Sequence, residues 1–246
     1  MIDRSTRSPL VLTLAGIVLL LLGAVAGWQF ELRRGGGISS AEIGPAVRAY
    51  LLEHPEVLPE AIERLRKQQT GQQLAAIADQ LATPFPGAVL GNPTGAVTLV
   101  EFTDFACTYC RRSVEDVEAL IRANPDLKVV VRELPILSPQ SAVAARWGLA
   151  AAEQGRYGAF HKAMFAAGRP DPKAIEAAAR AAGLDLGRAS KTIADPRINA
   201  EINANLRHAQ TLGIDGTPSW VIGGQLISGA VGRDALAKAI EAARKG

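Results

Sequence analysis

VTLVEFTDFACTYC, residues 97–110, runs from an apolar strand straight into a pair of cysteines. Val97–Thr103 is β-branched and apolar, the composition of a buried strand. Beyond the cysteines, Val114, Val117, Leu120 and Ile121 recur at helical spacing across residues 110–123. Asn124-Pro125-Asp126 turns the chain, and residues 127–134 (LKVVVREL) read as a second strand. Strand, cysteines at a helix start, turn and strand make a βαβ unit, which predicts a parallel pair with a right-handed crossover.

Further along, residues 138–212 carry helix signals only. Residues 139–153 are Ala-rich, and Tyr157, Phe160, His161, Met164 and Phe165 make an apolar face. Asp171-Pro172 starts a third helix that ends near Gly183, residues 185–194 form a short one, and residues 196–212 the last. The stretch therefore reads as a helical subdomain inserted into a sheet domain. Residues 219–222 form a strand, Gly223-Gly224 a tight turn, and residues 225–228 its partner. A closing helix runs from Arg233 to the end.

Before the central strand, Pro84, Pro86, Gly87, Gly91 and Pro93 mark residues 83–93 as a linker or lead-in turn. A helix over residues 59–81 has a thin apolar stripe of Ile62, Leu65, Leu74, Ile77 and Leu81, interrupted by polar residues 66–73. Such a stripe cannot form a core alone. It packs either on the main domain or against copies of itself. Residues 39–53 form another helix, capped by Ser39 or Ser40, with Ile43, Val47, Tyr50 and Leu51 on one face and His54-Pro55 at its end.

Residues 33–37 (RRGGG) are a hinge, and residues 10–27 contain no charge, about the minimum for a bilayer span. Arg4 and Arg7 precede that run and Trp28 follows it. Ala24-Val25-Ala26 also resembles a signal-peptidase site. Both readings, retained anchor and cleaved signal, predict an exported chain. The expected divisions are thus residues 1–37 (signal or anchor and hinge), 38–82 (helical arm) and 83–246 (sheet domain, insert about 138–212).

The 246 residues are 48% hydrophobic and 21% charged, globular proportions. A net charge of +3 and 5% aromatics argue against a nucleic-acid partner. Cys107 and Cys110 are the only cysteines, too few for a disulfide scaffold or a closed zinc site, and no metal site is expected. At a helix start, Cys107 meets unpaired N–H groups and the positive end of the helix dipole. That lowers its pKa and makes it the attacking thiolate. Cys110, one turn in, can close a disulfide with it, so the pair can exchange with a substrate thiol. The opposing reading is two buried core cysteines.

Glu101 sits inside the apolar strand, where a carboxylate is costly without a task. Accepting the Cys110 proton would be that task. A solvated edge position is the alternative. Pro218 directly precedes a strand, so Thr217-Pro218 is expected in cis beside Cys107, with an ordinary loop proline as the alternative.

Glu101-Phe102, Cys107-Thr108-Tyr109-Cys110, the helical insert and Thr217-Pro218, in that order, resemble the DsbA-type thioredoxin superfamily over about residues 90–246. The stretch VRAYLLEHPEVL, residues 47–58, is similar to the N-terminal segment of its ScsC-like (suppressor of copper sensitivity) subgroup. The resemblance implies an α/β thioredoxin fold with an inserted helical subdomain, preceded by the signal or transmembrane segment and the arm. It implies a bacterial envelope thiol-disulfide oxidoreductase, oxidase or isomerase. Cys107 would be the nucleophile, Cys110 the resolving thiol, Glu101 the buried acid and Pro218 the cis-proline, with Thr217, Thr108 and Tyr109 against substrate. No cofactor beyond the Cys107–Cys110 disulfide is implied. Partners would be unfolded or misoxidised exported proteins, a membrane redox protein that resets the pair, and further copies through residues 39–82. The place would be the periplasmic side of the inner membrane, anchored by residues 10–27. Thr108-Tyr109 departs from the Pro-His of the family's strongest oxidants, which predicts a less stabilised thiolate and a less oxidising couple. Two other readings are a Cu(I)-binding dithiol of copper tolerance and a non-enzymatic assembly module.

Overall fold

The structure, a computed structural model, describes the backbone of residues 9–34 and 40–245 and the side chains of residues 16–30 and 43–245. The elements in chain order are α1 (Pro9–Arg34), α2 (Ser40–Glu53), α3 (Val57–Ala82), β1 (Val89–Gly91), β2 (Val97–Thr103), α4 (Thr108–Ala123), β3 (Leu127–Glu133), α5 (Pro139–Glu153), α6 (Tyr157–Ala167), α7 (Pro172–Ala181), α8 (Leu186–Ala194), α9 (Pro196–Leu212), β4 (Ser219–Ile222), β5 (Gln225–Ser228) and α10 (Arg233–Ala243). They divide into two compact units, residues 1–63 and 64–246.

In the first unit, Ile43, Val47, Tyr50 and Leu52 of α2 and Leu58 and Ile62 of α3 are exposed. The Tyr50 ring packs on His54, centroids 4.6 Å apart. Among the described residues no helix is long and apolar enough to cross a membrane, so the anchor expected over residues 10–27 has no structural support. The side chains of residues 10–15 in that stretch, the Arg4 and Arg7 flank and most of the hinge lie outside the described residues.

In the second unit the sheet order is β1-β3-β2-β4-β5, with β2 and β3 parallel and the other pairs antiparallel. The βαβ expectation is met. The linker expectation for residues 83–93 misses β1, which pairs with β3 through Val89↔Val130 and Gly91↔Lys128. The breakers around it hid a strand of three residues. Gly87 leads into it at φ +84°, where an added Cβ would stand 2.1 Å from the Ala152 carbonyl oxygen. Only glycine permits that approach.

Alternation along the central strands gives the sheet two buried faces. Val97, Leu99, Val129 and Val131 pack against Val117 and Leu120 of α4 and Leu236 and Ile240 of α10. Val100, Phe102, Val130 and Leu134 pack against Leu74 and Leu81 of α3 and Ala209 and Leu212 of α9. Each such buried side chain contributes about 1.5–3 kcal/mol. The lower half of the α3 stripe is therefore core. α9 also returns to the sheet, so the last helix of the 138–212 stretch covers strands as well as closing the helical subdomain. Phe105, Cys107 and Cys110 sit in a third cluster with Phe160, Met164, Phe165 and Ala178 from α6 and α7. Ser138, Asp171, Asp185 and Asp195 cap the helices of this stretch, each accepting a hydrogen bond from a first-turn N–H.

Candidate active site

The turn between β2 and α4 is built by Asp104. Its carboxylate accepts from Ala106 N at 2.8 Å and from Ile136 N and Leu137 N at 2.9 Å each, while its carbonyl accepts from Cys107 N. One buried side chain thus shapes the cysteine turn and ties it to the loop after β3. The turn leaves Cys107 as the N-cap of α4, with extended backbone and its sulfur 3.3 Å from the Cys110 amide.

Both thiols are free. As a thiol, Cys107 donates to the Thr217 carbonyl oxygen at 3.1 Å, across 110 residues of chain. As a thiolate it is held by the Cys110 thiol first, then by the Thr217 hydroxyl and the Cys110 and Tyr109 amides. Burial opposes these, and the net is a pKa lowered to about 5. Cys110 has no exposed surface, and burial followed by its bond to Cys107 pushes its pKa up. Adjacent sulfurs on one helical turn therefore have opposite proton affinities, a nucleophile and a protonated partner.

The Thr217-Pro218 peptide is cis. Ser219 Oγ donates to Gly216 O at 2.8 Å, Gly229 N to Pro218 O at 2.8 Å and Trp220 Nε1 to Gly229 O at 2.9 Å. These bonds fix the loop that faces Cys107.

Glu101 lies on β2 between Val131 of β3 and Trp220 of β4, a central position rather than an edge. It is 2% exposed and its pKa is raised to about 8, chiefly by burial, with the Cys107 charge adding and Thr103 opposing. Its Oε2 and the Thr103 Oγ1 have no hydrogen-bond partner of normal geometry.

The structure thus brings together Cys107, Cys110, Glu101, Thr217 and Pro218. Thr108 and Tyr109 occupy the first turn of α4 and face outward. Tyr109 is 59% exposed, with the Arg112 guanidinium 5.6 Å from its ring centre. Exposed Ile136 and Leu137 add apolar surface on the loop held by Asp104. Sequence reasoning missed Asp104, although an Asp three residues before a helix cap, free to accept from the N–H two residues on, is an Asx-turn signal. It also missed Glu133, which ends β3 on the same face as Glu101. That residue is 1% exposed, accepts from Tyr157 OH at 2.7 Å and leaves Oε2 unpartnered. An acid in an apolar strand was the signal that found Glu101, and it applied equally there. Among the described residues no group of three or more His, Cys, Asp or Glu could hold a metal ion.

Residues 98–241, more than half of the chain, match the DSBA-like thioredoxin domain, and residues 40–72 match the copper resistance protein ScsC N-terminal domain. A thioredoxin-like oxidoreductase from Silicibacter pomeroyi DSS-3 is 41% identical with a TM-score of 0.65, covering 68% of this chain and 98% of that one. A linker-deletion mutant of Proteus mirabilis ScsC is 26% identical with a TM-score of 0.71, covering 86% of this chain and 99% of that one. A Na(+)/H(+) antiporter NhaA 1 of Salinispora arenicola is 30% identical over 161 residues, 64% of this chain. The chain spans only 25% of that relative's length.

Proposed function

The chain belongs to the DsbA-like thioredoxin family, and from that premise we propose that it exchanges disulfides with exported proteins through Cys107 and Cys110. The observation that carries this reading is the pairing of a Cys107 thiolate, poised at a helix N-terminus against the Thr217-Pro218 loop, with a fully buried Cys110. Cys107 attacks a substrate disulfide sulfur, a mixed disulfide forms, and one substrate sulfur leaves as thiolate. Cys110 then gives its proton to the Glu101 carboxylate and attacks the Cys107 sulfur. The Cys107–substrate bond breaks, the second substrate thiolate leaves, and the enzyme holds the Cys107–Cys110 disulfide. The reverse sequence oxidises a substrate dithiol, with protonated Glu101 returning the proton. A group whose pKa lies near 8 serves both directions at neutral pH.

Thr217, Thr108, Tyr109 and the cis Pro218 would meet the substrate segment. Isomerase work is supported by the exposed apolar side chains Ile43, Val47, Tyr50, Leu58 and Ile62 of the first unit, which suit pairing with further copies. Residues 4–27 support export to the periplasmic side of the inner membrane, where a membrane redox protein would reset the pair.

Reactivation of scrambled ribonuclease by the whole chain tests the reading. It should be abolished in Cys107→Ser and reduced in Val47→Asp and Ile62→Asp if copies assemble. Full activity in Cys107→Ser refutes it. A Cu(I)-holding dithiol is the second reading, favoured by the match of residues 40–72. Stoichiometric tight Cu(I) binding with no thiol exchange would establish it instead.

A further inference from the structure

Glu133 has no part in the reaction described above, yet it lies in the same buried layer. Thr103 of β2 pairs with Glu133 of β3, and Glu101 with Val131, so Glu101, Thr103 and Glu133 share one face of the parallel pair. Glu101 Oε2, Thr103 Oγ1 and Glu133 Oε2 are all buried without a hydrogen-bond partner. Three orphan polar atoms on neighbouring register positions are costly unless something joins them. A single water needs two to four polar partners, and these atoms supply three.

Glu133 is held in place on both sides. Tyr157 OH donates to its Oε1 at 2.7 Å. Gly148 of α5 lies so close that an added Cβ would sit 2.9 Å from that same oxygen. Among the described residues, the titratable groups facing this layer are Cys107 at the N-cap of α4, Cys110 within it, Asp104 from the turn after β2 and Tyr157 from α6, with the His161 ring behind Tyr157 at a centroid distance of 5.7 Å. None of them is a lysine or arginine. Arg132, the nearest basic residue in sequence, points to the opposite sheet face. With no cation to balance them, two carboxylates in this layer cannot both ionise cheaply. Burial, with Glu101 and Asp104 adding, raises the Glu133 pKa well above its ordinary value.

Building on the proton role of Glu101, we propose that Glu133 is a positioning residue for that base. As a neutral acid it directs its O–H, through the Thr103 hydroxyl and a shared buried water, toward the Glu101 carboxylate, and so stabilises the ionised form that takes the Cys110 proton. In that step the Cys110 S–H bond breaks and the proton passes to Glu101. The Cys110–Cys107 bond forms and the Cys107–substrate bond breaks. Glu133 keeps its own proton throughout.

The experiment uses the full reduced chain and oxidised glutathione as the probe. Glutathione release from the Cys107 mixed disulfide is followed against pH in stopped flow. Glu101→Gln should remove the ionisation that governs this step. Glu133→Leu should move its midpoint upward by about one pH unit or more, the effect of losing one charge-assisted hydrogen bond. Glu133→Gln should restore the midpoint, because its amide N–H replaces the O–H. Adding Glu133→Leu to Glu101→Gln should change nothing further. An unmoved or lowered midpoint in Glu133→Leu overturns the proposal while leaving Glu101 as the base. A Glu101→Gln profile equal to wild type overturns the base itself, and the proposal with it. Should Glu133→Leu fail to fold, infrared spectroscopy decides. A protonated-carboxyl band must persist after Glu101 ionises and vanish in Glu133→Gln, and its absence from wild type overturns the proposal.

Discussion

Arg132 and Glu133 are neighbours on β3, buried to the same degree on opposite faces of one sheet, and their surroundings differ in kind. Arg132 is saturated at its tips. Its Nη1 donates to Glu201 at 2.9 Å and to Asn205 at 3.4 Å. Its Nη2 donates to Leu81 O at 3.0 Å and also to the Gln80 and Thr83 carbonyls. It therefore closes the open C-terminal end of α3, where a helix leaves carbonyls unpaired and favours a cation. Across the sheet, Glu101 and Glu133 have no cation and keep unpartnered oxygens. Of the Arg132 nitrogens, Nε alone lacks a partner. A buried charge whose tips are bonded to a carboxylate and to helix-end carbonyls holds a fold together. Buried acids with partners withheld are free to move protons, and they cost stability for it.

The comparison can be broken most severely at the sulfur above the acid face. Cys107→Ser should eliminate thiol exchange with oxidised glutathione while leaving the fold intact, as read by circular dichroism. Arg132→Met should do the opposite. It orphans three carbonyls and Glu201, and should lower unfolding stability in urea by about 3 kcal/mol with the Cys107 reactivity unchanged. Equal stability in that variant would remove the distinction between the two faces.

Glu101→Gln sharpens it. The folded pKa of Glu101 is raised from 4.5 to about 8. Below 4.5 both states of the chain keep this proton, and the group is neutral to stability. Between 4.5 and 8 the unfolded chain releases it and the folded chain does not, so the Glu101 contribution turns against folding as pH rises. The cost reaches about 3 kcal/mol at pH 7. The Cys107 contribution has the opposite sign. Its folded pKa is depressed, so its stabilisation is complete above the ordinary thiol value and lost as pH falls through about 5. Relative to wild type, urea titrations of the reduced chain should accordingly show stability rising with pH in Glu101→Gln, which removes the Glu101 penalty, and falling with pH in Cys107→Ser, which removes the thiolate contribution, over this window. Iodoacetamide labelling of wild type should titrate with a midpoint near 5, the value of its thiolate. The smallest effect belongs to the solvent-exposed Lys162–Glu118 pair at 2.8 Å. Lys162→Ala should cost at most about 0.5 kcal/mol in the same titration and leave the Cys107 labelling midpoint in place.

Much of this was legible from residue order. Val97–Thr103, the spacing of Val114, Val117, Leu120 and Ile121, and the helix signals of residues 138–212 each declare their element through short-range patterning. Cys107 and Cys110 sit at the junction where such periodicity changes, so the reactive pair and its helix start were visible without coordinates. The stripe on residues 59–81 was visible too, but not its division. Leu74 and Leu81 are core while Ile62 and Leu65 are exposed, and composition does not differ between them. β1 was lost because a strand of three residues flanked by glycines and prolines has no period to read.

Neighbours along the chain are written in the chain, because 3.6-residue and two-residue repeats act over a few positions. Those repeats determined the βαβ unit, the helical stretch and the cysteine pair. Only the tertiary structure decided that Thr217 O would lie 3.1 Å from Cys107, that Glu133 would be anchored by Tyr157, and that Arg132 would be sealed by the end of α3. Each of those contacts spans 24 or more residues, and its partner is chosen by how helices pack on a twisted sheet, a geometry that no local repeat encodes.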